Sequence, residues 1–372
     1  MESFVVETAK KLYQTGEYDI TLICSNNEKF AKSLPEYLNY IPVEMPRGIQ
    51  ISGFKSIGVL RKIFKDQRFD MVQYSTPNAS CYASIAAKME KVPIRLYCQW
   101  GIRYVGLSGI SRIIFKFLEK VVCRNSTHIR AVSRLNKAFA VKEGLYKESK
   151  AEVVGNGGTI GVDTLVFDIN NKAEWRDEIR KRYNLSDGDF VYGFAGRISR
   201  DKGCAELLQA FLNVSDSSDK ARLLVVGPYE VNGEVDDELI AKARECDKIV
   251  FTGRVDNSEM KKYYSAMDVL VHPTYREGFG MVIQEAGALA VPTITTKIPG
   301  ASEVMVDGSS CILVDAKSVS SLQDAMENVL DSEKLVISLG SAAHKRTKEL
   351  YDRPVMLEHQ IKAYQKLVNG EK

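Results

Sequence analysis

Eleven short aliphatic runs, separated for the most part by amphipathic helical stretches, constrain this chain more than any other feature. They are "DITLICS" (19–25), "DMVQYST" (70–76), "IRLYCQ" (94–99), "HIRAVS" (128–133), "VVGN" (153–156), "FVYGFAG" (190–196), "RLLVVG" (222–227), "KIVFTG" (248–253), "DVLVHP" (268–273), "PTITT" (292–296) and "CILV" (311–314). β-Branched and aliphatic runs of this length, bounded by turns, read as parallel strands buried on both faces. Strands alternating with helices specify an α/β fold.

A chain of 372 residues exceeds what one core usually fills. The pattern lapses at "VFDINNKAEWRDEIRKRYNLSDGD", which is polar and precedes a new strand, so a junction is expected near 165–175. The expected domains are 1–165, together with a terminal helix from about 355 to 372, and 166–354. Each is expected to be a doubly wound, Rossmann-like sheet that binds ligands at the carboxyl ends of its strands. The chain opens on a helix-like stretch, 3–14, that leads into "DITLICS". Such a domain normally begins with a strand and a glycine-containing turn, so the first strand of the N-terminal domain is expected to be missing.

No stretch approaches ~18 uninterrupted apolar residues, and the N-terminus lacks the features of a signal peptide. Seven scattered cysteines without a C-x-x-C fit reduced thiols and a cytoplasmic setting. Residues 1–165 carry 24 Lys+Arg and 15 Asp+Glu, and residues 166–372 carry 27 and 33. The basic half suggests a polyanion or an anionic membrane as partner; chance distribution over a solvated surface is the plainer account.

Four loops stand at expected strand ends. In "GFAGRISRDKGCAELLQAF" (193–211) a strand ends at Gly196, Arg197 and Lys202 follow, and a helix begins near Gly203. Free N–H groups at a helix start and two cations suit a phosphate, or they form an ordinary solvated turn. In "HPTYREGFGMVIQEA" (272–286), Glu277 and Glu285 bracket Gly278, Gly280 and a helix start. At ~1.5 Å per helical residue the two carboxylates stand ~10 Å apart. That is too far for one shared proton or one metal ion, and it suits two ends of one elongated ligand, such as a ribose and a hexose. Alternatively Glu285 is a polar residue on a helix face. "FTGRVD" (251–256) could present backbone to a base, and "KIPGASEVMVDG" (297–308) opens another helix.

"GRISRDKG", "FTGRV", "HPTYREGFGMVIQEA" and "PGASEVMVDG", in this order and spacing, resemble the GT-B retaining glycosyltransferases of the family 4 type (glycosyl transferases group 1). "PVEMPRGI", "DMVQYSTPNASCYASIAAKMEKVPIRLY" and "GNGGTIGVDTLVF" are similar to its capsular and exopolysaccharide branch. The resemblance implies the GT-B fold, two Rossmann-like domains facing across a cleft. It implies that Arg197 and Lys202, after Gly196, hold the donor diphosphate and stabilise the leaving group. Glu285 would hold the ribose. Glu277, with the backbone of Gly278, Phe279 and Gly280, would hold the donor sugar, and the backbone around Arg254 and Val255 would face the base. No cofactor and no metal are implied beyond a donor of UDP or GDP type.

The chain departs from the family pattern where "RLYCQWG" places Tyr97, Gln99 and Trp100 in the region of a common histidine, and at Asn78, where close relatives often carry lysine. The implied function is transfer of a hexose-type sugar to a hydroxyl acceptor, a lipid-linked glycan of capsular, exopolysaccharide or other cell-surface polysaccharide synthesis, with no nucleic-acid partner. The alternatives are a non-catalytic subunit that binds nucleotide sugar, or a GT-B sugar-nucleotide epimerase; a nicotinamide dehydrogenase lacks its G-x-G-x-x-G. In "SGISRIIFKFLEKVVCRN" (108–125), basic residues alternate with apolar ones. That helix could lie on an anionic membrane, making the protein peripheral at the inner face, or pack on its own sheet with a solvated basic edge.

Overall fold

The computed structural model describes residues 2–46, 52–230 and 235–370. Arg47, Gly48 and Ile49 of "PVEMPRGI" lie outside the described residues. Twelve strands are present among those described: β1 (Ile20–Cys24), β2 (Leu38–Pro42), β3 (Met71–Tyr74), β4 (Ile94–Gln99), β5 (His128–Ala131), β6 (Ala151–Glu152), β7 (Phe190–Ala195), β8 (Ala221–Val226), β9 (Ile249–Gly253), β10 (Val269–His272), β11 (Thr293–Thr296) and β12 (Cys311–Val314). The chain divides into two compact units, Met1–Ile160 with Met356–Lys372, and Gly161–Val355.

The second unit holds a six-stranded, all-parallel sheet in the order β12-β11-β10-β7-β8-β9. Its strands are apolar at consecutive positions because both faces are covered. Tyr192, Phe194, Leu223, Val225, Val269 and Val271 point into one cluster with Phe211 and Met326. Their neighbours Val191, Ala195, Leu224, Val226 and Leu270 point into the other, with Tyr264 and Leu289. This is the period-2 alternation of a strand with a core on each side. Strand order reverses between β7 and β10, so their carboxyl ends flank the switch point where a doubly wound sheet opens a crevice.

Residues 161–165, expected with the first domain, are hydrogen-bonded into the second unit. Val162 N donates to Tyr351 O (2.9 Å), Arg353 N donates to Val162 O (2.8 Å), and Arg353 pairs with Asp163 at 3.1 Å.

The first unit contains a four-stranded parallel sheet, β3-β4-β5-β6, and a separate parallel pair, β1-β2. The helix Glu2–Gln14 precedes β1, and no strand among the described residues joins β1 to β3. "VVGN" is not a strand: the ladder stops at Glu152, and Gly155 turns the chain in a left-handed conformation (φ +54°). The terminal helix Arg353–Asn369 places Tyr364 among Leu12, Leu96 and Cys98, with its hydroxyl on Gln73 and the Arg130 guanidinium 4.2 Å over its ring.

Candidate active site

The loops that leave β7 and β10 are joined at the switch point of the second unit. After β7 the chain makes a short 3-10 turn, Arg200–Lys202, and enters the helix Cys204–Ser217 through Gly203. Gly203 is left-handed (φ +70°), and a Cβ there would stand 2.0 Å from the Pro273 carbonyl oxygen. Glycine is therefore required both by conformation and by close approach. The loop after β10 is pinned in return: Tyr275 N donates to Asp201 O (2.9 Å), Thr274 Oγ1 donates to the same oxygen (3.2 Å), and Arg276 pairs with the Asp201 carboxylate (3.1 Å). Tyr275 also donates its hydroxyl to Glu206.

These braces bring Lys202 to Glu277. Lys202 Nζ lies 2.9 Å from Glu277 Oε2, the same oxygen lies 3.1 Å from His272 Nε2, and Glu277 Oε1 accepts from Gly278 N at 3.1 Å. Burial favours the neutral acid, but the hydrogen bond from His272 and the Lys202 ammonium overcome it and hold the Glu277 carboxyl well below the usual range. Glu277 is thus an anion at neutral pH. His272 closes β10 and is 1% exposed, and burial lowers its pKa.

Glu285 has a different environment. It lies on the helix Met281–Ala288, half-buried, and its Oε2 accepts from the Tyr264 hydroxyl at 2.7 Å. Burial pushes its carboxyl up to about 7, against the hydrogen bond from Tyr264 and the charge of Arg353. Glu277 and Glu285 share no partner, so they form two polar stations and not one acid pair.

The remaining candidates surround these two. Arg197 pairs with Glu230 and lies 3.7 Å from Asp201. Gly196 follows β7, with its N–H on Val226 O (2.9 Å). Gly278 and Gly280 keep the acidic loop thin: a Cβ on Gly300 would meet Gly278 O at 2.3 Å, and Gly280 (φ +35°) begins the Glu285 helix. Phe279 is buried edge-on against Tyr351, with ring centroids 5.6 Å apart. Arg254 is exposed just beyond β9, and Val255 packs into the core cluster that contains Tyr264. Sequence reasoning missed Tyr264 and His272. His272 left a signal, since it is a polar residue ending an aliphatic strand five positions before an acid; Tyr264 left none.

In the first unit the residues of "RLYCQWG" point inward. Tyr97 Oη (2.9 Å) and Gln99 Nε2 (2.6 Å) both donate to Glu119 Oε1, and Tyr146 donates to Gln99 Oε1 (2.9 Å). Burial raises the Glu119 carboxyl within this network. Trp100 packs edge-on against Phe4, and Asn78 Nδ2 donates to Pro46 O (3.3 Å).

The family model for glycosyl transferases group 1 matches residues 175–346, and one for glycosyl transferase 4-like proteins matches residues 2–133. The capsular polysaccharide biosynthesis glycosyltransferase CapM of Staphylococcus aureus is 30% identical over 342 residues, 91% of this chain and 88% of that protein. The UDP-Gal:alpha-D-GlcNAc-diphosphoundecaprenol alpha-1,3-galactosyltransferase of Escherichia coli is 21% identical, over 90% of this chain and 86% of its own. Among solved structures, Anabaena HepE in complex with UDP and glucose superposes with a TM-score of 0.78 at 15% identity, over 98% of this chain and 95% of that one. That match concerns the fold alone.

Proposed function

The chain belongs to the glycosyl transferases group 1 family, and from that premise we propose that it is a retaining hexosyltransferase, using a nucleotide-diphosphate sugar of UDP or GDP type and no metal ion. One observation carries the reading: the cationic loop after β7 and the acidic loop after β10 are locked together at the switch point, with Lys202 on Glu277. An elongated anionic donor fits that arrangement. Its diphosphate takes Lys202 and Arg197 together with the free N–H groups of the helix that begins at Cys204. Its ribose hydroxyls donate to Glu285 and a sugar hydroxyl donates to Glu277, since ionised carboxylates accept only.

The chemistry follows from the charges. The bond between the anomeric carbon and the phosphate oxygen breaks, and the electron pair leaves with the diphosphate, where two cations stabilise it. The acceptor hydroxyl oxygen forms the new bond on the same face, and its proton passes to the departing phosphate oxygen. Two protein cations, Lys202 and Arg197, supply the stabilisation for which other transferases recruit a divalent ion.

A lipid-linked glycan acceptor at an anionic membrane is part of the proposal. The E. coli relative is named for a diphosphoundecaprenol acceptor. No helix among the described residues is long and apolar enough to cross a membrane. The helix Gly109–Asn125 exposes Ile110 (77%), Ile113 (69%) and Phe117 (64%) beside Arg112, Lys116, Lys120 and Arg124, while Val122 and Cys123 face the core. An apolar ridge flanked by basic residues suits a headgroup boundary.

Turnover of candidate nucleotide sugars with a lipid-diphosphate glycan, with and without EDTA, tests the reading. We expect EDTA-resistant transfer with retained anomeric configuration. A strict metal requirement or an inverted product overturns the mechanism, and nucleotide-sugar binding without any turnover favours a non-catalytic subunit.

A further inference from the structure

We infer that His272 is a positioning residue: as a neutral Nε2–H donor it fixes the Glu277 carboxylate for sugar recognition and stays in place when Lys202 turns to the diphosphate. This rests on the reading of Glu277 as the sugar-binding acid.

The geometry sets the tautomer. Glu277 Oε2 is ionised and has no proton to offer, so the 3.1 Å contact needs the hydrogen on His272 Nε2. The other ring nitrogen, Nδ1, is buried without a hydrogen-bond partner among the described residues. An imidazolium would leave a charged N–H there with nothing to receive it, which costs far more than an idle lone pair. Burial disfavours the charged ring and, with the Lys202 ammonium, outweighs the pull of the Glu277 carboxylate toward it. The backbone is held as well, since Thr295 Oγ1 on β11 donates to His272 O at 2.9 Å. With its only lone-pair nitrogen sealed in the core, His272 cannot act as a general base.

The positioning role follows from what each donor must do. Glu277 Oε2 has two side-chain donors, Lys202 and His272. A diphosphate competes for the Lys202 ammonium and not for a buried neutral imidazole. When Lys202 turns to phosphate, one acceptor site on Oε2 opens for a sugar hydroxyl, and His272 with Gly278 N keeps the carboxylate from rotating. His272 therefore acts on the sugar half of the donor and not on the nucleotide half.

The test compares UDP with UDP-glucose, and GDP with GDP-mannose, by titration calorimetry on wild type, His272→Phe and His272→Gln. Phenylalanine keeps the ring and removes the donor; the glutamine amide carries an N–H close to where Nε2 stands. We expect His272→Phe to keep nucleotide affinity within about twofold and to lose roughly tenfold in the preference for nucleotide sugar over nucleotide, a factor worth ~1.4 kcal/mol. His272→Gln should restore most of that preference. Equal weakening of both ligands, or no rescue by glutamine, overturns the proposal. Long-range ¹H–¹⁵N correlation of the histidines in the ligand-free wild type is a second arm. A neutral Nε2–H ring at pH 7 supports the proposal, and an imidazolium or an Nδ1–H ring overturns it. If no nucleotide binds, the proposed function fails, and the histidine spectrum still decides the state of His272.

Discussion

Lys202 and Glu277, 75 positions apart, meet at 2.9 Å with four-fifths of each side chain out of solvent. Under the proposed function, the cation assigned to the phosphate is paired here with the acid assigned to the sugar. A donor that brings both groups would draw Lys202 to the phosphate and leave the Glu277 carboxylate to a sugar hydroxyl, His272 and Gly278 N. Removing one member of a mostly buried pair leaves the other uncompensated.

Replacing Lys202 alone with methionine should therefore lower stability by about 1–3 kcal/mol, less than for a fully dry pair, and should slow transfer by roughly 10²–10³-fold, the usual loss for one transition-state charge donor. Adding Glu277→Gln should return most of the stability and none of the turnover. Thermal unfolding with single-turnover kinetics on wild type and the two variants checks this. Recovery of activity in the double variant contradicts a role for Lys202 on the leaving group.

Glu285 sets a pH dependence. Its folded carboxyl is pushed up to about 7 from an unfolded value near 4.5. Below about pH 4.5 both states are protonated and the full stabilising contribution is present. Between about 4.5 and 7 the folded state holds a proton that the unfolded state releases, so stability falls as pH rises. By pH 8 the loss reaches on the order of 3 kcal/mol. Glu285→Gln cannot ionise and should melt higher than wild type at pH 8 but close to it at pH 5. Parallel melting curves at both pH values contradict the burial of this carboxyl.

The contact between the loops makes Gly203 and Gly300 sensitive positions. A methyl group would stand 2.0 Å from Pro273 O at the first and 2.3 Å from Gly278 O at the second, with φ of +70° and +85°. Gly203→Ala and Gly300→Ala should each cost more than ~1 kcal/mol, because the strain of a left-handed alanine adds to the collision. Both should weaken nucleotide-sugar binding by moving Lys202 away from Glu277. Gly109 is also left-handed but meets nothing within 4 Å; alanine there serves as the control and should leave binding unchanged.

Binding to vesicles with an anionic lipid should depend on the helix Gly109–Asn125. Ile113→Ser with Phe117→Ser removes apolar insertion, and Lys120→Glu with Arg124→Glu removes attraction. Either pair should weaken co-sedimentation by about tenfold or more, and the wild type should release at high salt. Binding indifferent to both charge and salt contradicts the membrane proposal.

Most of the second unit was legible because its strands are buried on both faces and read as unbroken aliphatic runs. β2 was not: "LNYIP" is an edge strand with exposed Asn39 and Pro42, so its pattern resembles a loop. "VVGN" misled in the other direction, because two valines ahead of a left-handed glycine look like a strand end. The loops of the site were legible since each follows a strand and carries chemistry at close spacing. The partners were not. Lys202 and Glu277 are joined through Asp201 backbone contacts, Tyr264 reaches Glu285 from a separate helix, and Glu230 reaches Arg197 from beyond β8. These pairings arise from which strands end side by side, and periodicity holds no record of that.

The central claim is that Glu285 and the Lys202–Glu277 pair mark the two ends of one nucleotide-sugar site. The most direct measurement is titration of UDP and of GDP into wild type and Glu285→Ala at pH 8, without divalent cations. Ribose hydroxyls that donate to a buried carboxylate contribute about 1.5–3 kcal/mol, so one nucleotide should bind wild type at least tenfold more tightly than the variant. Unchanged affinity in Glu285→Ala would contradict the account.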